Sequence, residues 1–165
     1  MNFLEFENGF WGWATDAADR LLWVKFFESL PLDFRILQTP TRRQREFSQS
    51  LARFLRGEPV AWNIEIAWSG TPFQLQVWRT LTKQVPWGKL ITYGELAALS
   101  GFPRAARAVG NAMRLNPWAI VIPCHRVVGE NNLGGYFGRL DLKRRLLELE
   151  GHDLNYLIKK LRLCY

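Results

Sequence analysis

The feature that most restricts how this chain can fold lies in residues 116–128, NPWAIVIPCHRVV. Trp118, Ala119, Ile120, Val121 and Ile122 form an apolar run, rich in β-branched residues, that stops at Pro123. That is the pattern of a buried strand closed by a turn. Cys124 and His125 follow at once, with Arg126 beyond them. A thiol beside an imidazole and a guanidinium is one way to build a nucleophile, because a neighbouring cation or general base favours the thiolate. The alternative is a cysteine packed as a small hydrophobe beside a structural histidine, and the remaining motifs have to decide between the two.

With 165 residues, 48% of them hydrophobic, the chain suffices for one ordinary domain or two small ones. Cys124 and Cys164, with His125 and His152, supply neither a disulfide framework nor zinc-ligand spacing, so no metal site is expected and a reducing interior fits best. The start, MNFLEFENGFWGW, lacks a basic region followed by an apolar core, and no apolar run approaches the roughly 20 residues of a membrane span. A soluble, cytoplasmic protein is expected. The net charge of +7 is uneven: residues 1–70 carry 8 Lys/Arg against 9 Asp/Glu, and residues 71–165 carry 14 against 6. Such asymmetry points to a polyanion, nucleic acid before membrane, against the plainer reading of a basic protein kept soluble by its charge.

Residues 3–27 alternate apolar runs, 10–13 and 21–27, with the polar break ATDAADR, and read as a β-hairpin or two paired strands. From Thr41, Phe47, Leu51, Phe54 and Leu55 recur at helical spacing until Gly57 and Pro59. Residues 61–68 read as a short strand. Thr71 then suits an N-cap and Pro72 a first turn, which puts the domain junction at residue 70, with a 1–70 N-terminal domain and a 71–165 C-terminal domain. The helix over about residues 72–84 is expected to bury Phe73, Val77, Trp78 and Leu81.

Thr92 and Glu95 stand at the spacing of a capping box, and Gly101 closes the short helix they open. Pro103 suits the start of a second helix running to about Arg114, so two helices are joined by a turn of about three residues, as in a helix-turn-helix. Ala105, Ala106, Ala108, Gly110 and Ala112 leave that second helix narrow, while Arg104, Arg107 and Arg114 make it basic. At about 100° per residue Arg107 and Arg114 share a direction. Such a helix can approach phosphates and enter a groove, or its small residues can serve close packing on a neighbour.

After the Cys-His turn, GENNLGGYFGR is a glycine-rich loop, and a helix follows from Asp141 to a stop at Gly151, with Leu142, Leu146 and Leu149 as its apolar stripe. Glu150 lies near that stripe on the helical wheel, so its carboxylate turns inward and needs a partner, either a packing arginine or an imidazole. In a Cys, His, Glu set the acid orients the base. The tail reads as an amphipathic helix with Leu157, Leu161 and Cys164 on one side, Cys164 serving as a packing or tail thiol.

Taken together, Asn116-Pro117, Ile122-Pro123-Cys124-His125-Arg126-Val127 and the upstream Arg104-Ala105-Ala106-Arg107-Ala108-Val109-Gly110 resemble the O6-alkylguanine-DNA alkyltransferases, over about residues 73–151. The first 70 residues match only in length and in a hairpin-then-helix pattern. The resemblance implies an α/β N-terminal domain, ribonuclease H-like with a small antiparallel sheet plus helix, and a mainly α C-terminal domain carrying a winged-helix-like helix-turn-helix. It implies a cofactor-free, monomeric protein acting on double-stranded DNA from the minor groove. O6-alkylguanine, mainly O6-methylguanine with O4-methylthymine as a second substrate, would be flipped out of the duplex. Its alkyl group would pass irreversibly to Cys124.

By the same resemblance, Cys124 is the alkyl acceptor, His125 a base acting through water, Glu150 the group that orients His125, and Asn116 the brace of the turn. Tyr93 crowds the target phosphate and faces the purine N3. Met113 and Tyr136 wall the alkyl group, the carbonyls of Cys124 and Val127 accept from the guanine amino group, and the Phe137 backbone N–H reaches O6. Arg107 fills the space the base vacates, and Arg104, Arg114, Gln74 and Gly94 complete the DNA contacts. The sulfur is expected to be anionic. Two positions depart from the family: Tyr136 is followed by Phe137-Gly138-Arg139 where relatives often have a small residue and two glycines, and Ala119 stands where some have a proline against bulky benzyl groups. The competing readings are a lesion binder that does no chemistry, a sequence-specific regulator, and a Cys-His hydrolase of acyl groups.

Overall fold

The aromatic segments at the start pair into a sheet because their residues alternate between two faces. In the computed structural model, which describes residues 2–30 and 39–162 and side chains up to residue 159, β1 (Asn2–Phe6), β2 (Gly9–Thr15) and β3 (Leu21–Phe27) form an antiparallel sheet in sequential order. The expected hairpin is β2–β3, and β1 adds a third strand. Trp11 and Trp13 are buried on one face of β2. Between them Gly12 leaves no room for a side chain: a Cβ there would stand 2.6 Å from the Phe3 ring and 2.9 Å from the Phe27 ring. Its absence lets those two rings, one from each flanking strand, approach to 5.5 Å between centroids.

Helix α1 (Arg42–Leu55) starts at a Thr41–Gln44 capping box and buries Phe47, Leu51, Phe54 and Leu55, as their spacing requires. Gln44 is buried too, and its amide donates to the Thr15 hydroxyl at 2.8 Å, tying the helix to β2. The strand expected over residues 61–68 is reduced to one parallel bridge, Leu21 to Ile66, because the segment meets β3 only at its first residue. The apolar run 118–122 is buried, yet it is not a strand. Trp118 makes a single parallel bridge to Val24, after which Ile120 at φ +69° and a Val121 N–H to Ala119 carbonyl bond of 2.9 Å reverse the chain. Continuous apolarity reports burial, and a left-handed β-branched residue ends any ladder. Residues Met1–Trp68 and Pro117–Val121 make one compact unit.

The second unit comprises Ser69–Asn116 and Ile122–Tyr165. Helix α2 (Pro72–Gln84) opens at a Thr71–Gln74 capping box and buries Val77, Trp78 and Leu81. The Trp78 indole N–H donates to the Ala112 carbonyl at 3.1 Å. Phe73, expected inside, is half-buried, its ring 4.8 Å from that of Phe102. Strand β4 (Ile91–Thr92) pairs in parallel with β5 (Val127–Val128), and α3 (Tyr93–Leu99) follows from the Thr92–Glu95 capping box. Helix α4 (Ala106–Arg114) begins three residues later than Pro103 suggested. Arg104 at φ +75° and a turn closed by Ala105 N–H on the Phe102 carbonyl keep residues 103–105 out of the helix. After a 3-10 turn (Cys124–Arg126), α5 (Leu140–Leu149) and α6 (Leu154–Arg162) complete the unit. On α5 Leu147 is buried where Leu149 was expected, and it packs with Val128, Leu133 and Leu157. Cys164 and the side chain of Leu161 lie outside the described residues. No described helix is long and apolar enough to cross a membrane.

Candidate active site

Pro123 ends the apolar run and the next three residues turn in a single 3-10 coil, so Cys124, His125 and Arg126 leave the backbone in different directions while all are buried. The Asn116 amide reaches this turn, donating to the Ile122 carbonyl at 3.0 Å and to the Cys124 sulfur at 3.1 Å. The inward carboxylate of Glu150 meets both candidate partners. It faces His125 Nε2 at 2.7 Å, and Arg126 Nε and Nη2 donate to it at 2.9–3.0 Å. The Gly88 N–H adds a further bond at 3.1 Å, and Arg126 Nη1 donates to the Val85 carbonyl. Burial pushes the Glu150 carboxyl up, but these donors outweigh it and hold the group at about 2. With Nε2 committed to the carboxylate, Nδ1 of His125 is the nitrogen left to carry a lone pair. Burial lowers that imidazole below its ordinary value despite Glu150, so it is neutral near pH 7.

The expectation of an anionic sulfur is not met in the resting protein. Burial pushes the Cys124 thiol up to about 11, against the opposing pull of the Asn116 amide and the Lys143 charge. The nucleophile is therefore stored as a thiol, and a base is needed when it reacts.

A cavity of about 590 Å³ opens above the sulfur, lined by Tyr93, Gly110, Met113, Arg114, Cys124 and residues 135–138. Tyr93, Met113, Tyr136 and Phe137 of the expected substrate contacts thus share one wall system with Cys124. Tyr136 is buried, its ring perpendicular to that of His125. Phe137 is 42% exposed at the mouth and sits at φ +48°, a left-handed conformation that residues with side chains seldom adopt. The loop approaches Tyr93 closely: a Cβ on Gly134 would stand 2.5 Å from its hydroxyl. Val127 is buried in β5 away from this lining, and its carbonyl accepts from Lys143. Ala119 is buried and does not line the cavity.

Of the expected DNA contacts, Arg104, Arg107 and Arg114 are exposed, the last at the cavity edge, where it donates to Asn111 at 3.0 Å. Helix α4 buries Val109, Ala112 and Met113 and leaves Arg107, Ala108, Asn111 and Arg114 outward, a narrow basic face. Gly94 is half-buried in α3, and the Gln74 side-chain oxygen is engaged by the Thr71 N–H of its own cap. Arg126, an arginine partner of the kind the sequence allowed for, shares Glu150 with the imidazole. Lys143 escaped the sequence reading: it is a fully buried lysine seven residues before Glu150 on the same inward face of α5.

The sequence profile of the 6-O-methylguanine DNA methyltransferase DNA-binding domain matches residues 72–152. The methylated-DNA–protein-cysteine methyltransferase of Methanosarcina acetivorans is 48% identical over 108 residues, covering 65% of this chain and 69% of that protein. The crystal structure of Mycobacterium tuberculosis OGT in complex with DNA superposes with a TM-score of 0.74 at 36% identity, over 90% of each chain. The O6-methylguanine-DNA methyltransferase of Pyrococcus kodakaraensis gives 0.60 at 27% identity, over 92% of this chain and 98% of that one. The chain belongs to the methylated-DNA–protein-cysteine methyltransferase family.

Proposed function

We propose that this protein repairs O6-alkylguanine in double-stranded DNA by direct reversal, taking the alkyl group onto Cys124. The observation that carries the reading is the Cys124 sulfur at the floor of a cavity of about 590 Å³, beside an imidazole held by a buried carboxylate. A base inside a duplex has to rotate out before its O6 substituent can reach such a floor. Arg107 takes the space it leaves, Tyr93 crowds the target phosphate, and the narrow face of α4 lies in the minor groove, where alanine permits close approach. Arg104, Arg114, Gln74 and Gly94 supply the flanking contacts. The two helices α3 and α4 serve as a helix-turn-helix in a winged-helix-like unit, and the first unit is ribonuclease H-like, a reading supported by its antiparallel sheet and helix α1.

In the reaction His125 takes the thiol proton through a water, and the sulfur attacks the alkyl carbon. The carbon–O6 bond breaks with its electron pair going to the purine, where the Phe137 N–H at O6 and the Tyr93 hydroxyl at N3 meet the developing charge. The Cys124 carbonyl accepts from the guanine amino group, while Met113 and Tyr136 contain the alkyl group. A thioether is a poor leaving group, so the protein acts once, as a monomer without a cofactor. O6-methylguanine is the main substrate and O4-methylthymine a second.

Incubation with duplex DNA containing O6-methylguanine, followed by intact-mass measurement, tests this. One methyl group appears on the wild type and none on Cys124→Ala. A lesion binder gains no mass, a regulator prefers one undamaged sequence, and a hydrolase turns over acyl esters repeatedly.

A further inference from the structure

The first unit holds a cavity that the chemistry above does not use. It measures about 190 Å³, and its walls come from β1, β2 and the start of α1. Trp13 is one wall; it is 2% exposed, and its indole N–H has no acceptor among the described residues. The side-chain amide of Asn2, another wall, has a buried nitrogen that lacks an acceptor in the same sense. A buried donor without a partner has lost its bonds to water and gained nothing, so two of them around one cavity mark a place for an acceptor. Ser48 adds a hydroxyl and Arg45 a guanidinium, which gives one of its five N–H groups to the Pro40 carbonyl at 2.6 Å. Among the described residues no carboxylate lines the cavity. Nearby acids are committed elsewhere: Glu46 pairs with Arg42 at 2.7 Å, and Asp19 accepts from the Gln44 amide at 3.2 Å.

The charge on α1 points the same way. Arg42, Arg43 and Arg45 fall within its first four positions, and no acidic residue stands in its first turn. Aligned peptide dipoles already make that end positive, so three cations there repel it and one another, and an anion relieves both. We propose that this cavity binds a phosphate group, at a site separate from the alkyl-acceptor cavity. Its donors come from three elements. A tetrahedral oxyanion offers oxygens in four directions to meet them, where a carboxylate offers two in one plane. The volume falls below the roughly 300–1,000 Å³ of pockets for drug-sized molecules, which restricts the occupant to a small group. That group is a free phosphate, a phosphate monoester or one link of a nucleic-acid backbone, all sharing the same recognising chemistry. The proposal does not depend on the role of Cys124.

Nuclear magnetic resonance on the intact, nitrogen-15-labelled protein tests it with inorganic phosphate, the ionic strength being held constant with chloride. The Trp13 indole and Asn2 side-chain amide signals shift and saturate, with a midpoint on the order of 1 mM. Trp11 is the internal control: its indole N–H also lacks an acceptor among the described residues, but it does not line the cavity, and its signal stays still. Arg45→Gln alters an exposed side chain, leaves the core intact and weakens binding about tenfold by removing a bond from a charged donor. Acetate in place of phosphate produces no saturable shift. Undamaged duplex DNA identifies the source: movement of the same two signals means a backbone phosphate, and stillness means a free phosphate or a monoester. A Trp13 signal that ignores phosphate overturns the proposal, as does one that responds equally to acetate or an Arg45→Gln titration that overlays the wild type.

Discussion

Replacing Glu150 by glutamine removes one charge and keeps the shape. In the native site that charge accepts from Gly88, Arg126 and His125, with the Arg126 guanidinium at 7% exposure. Removing one partner of such a buried pair costs about 3–5 kcal/mol. The carboxyl tells the same story independently: its fall from 4.5 to about 2 corresponds to on the order of 3 kcal/mol of linked stability. For a chain of this length that is a drop of about 6–12 °C in the unfolding temperature. Because the folded pKa is depressed, this stability is present above pH 4.5 and lost as pH falls toward 2, so the wild type weakens more steeply across that window than Glu150→Gln. The imidazole also loses the group that fixes its protonated nitrogen, and single-turnover methyl transfer slows by about a hundredfold or more, while affinity for undamaged duplex stays within twofold. Thermal unfolding against pH and quench-flow transfer read these effects separately. An unchanged unfolding temperature would refute the buried-pair reasoning; a normal transfer rate in a destabilised variant would refute the orienting role.

Further outcomes follow from neighbouring geometry. The lowered His125 pKa keeps the base neutral below the ordinary imidazole value, so the transfer rate stays level as pH falls through 6.5 and drops only further into acid; a rate that already falls above 6.5 contradicts a neutral histidine base. Gly134→Ala forces a Cβ to within 2.5 Å of the Tyr93 hydroxyl at φ +68°, so it costs about 1–2 kcal/mol and slows transfer from duplex at least tenfold; a normal rate shows that Tyr93 has freedom to move. Arg107→Ala slows repair in duplex more than reaction with free O6-methylguanine base, and equal losses remove it from base rotation. Trp78→Phe deletes the bond to the Ala112 carbonyl and destabilises the second unit by about 1–3 kcal/mol in chemical unfolding, without touching the cavity.

Local signals were the legible ones. Thr41, Thr71 and Thr92 cap helices because each has Gln or Glu three residues on, a pattern that closes on itself without tertiary help. The inward turn of Glu150 was readable from the wheel, but whether it met an arginine or an imidazole was not, and it met both. The run 118–122 reads as a strand from composition alone. The left-handed Ile120 that turns it is set by long-range contacts to β3, which periodicity does not encode. Arg104 hides the true start of α4 for the same reason. Lys143 was passed over because lysine on an amphipathic helix is normally a solvated residue. Its signal was position: seven residues before Glu150, two turns along the same face.

The central claim is that one sulfur accepts one alkyl group and keeps it. The direct measurement is stoichiometry: the protein is given an excess of duplex carrying O6-methylguanine with a labelled methyl, then a second portion, and label per chain is counted after peptide mapping. The expected result is a plateau at one methyl per chain, all of it on Cys124, with nothing added by the second portion. Label on any other residue, or guanine restored beyond one equivalent of protein, would contradict it.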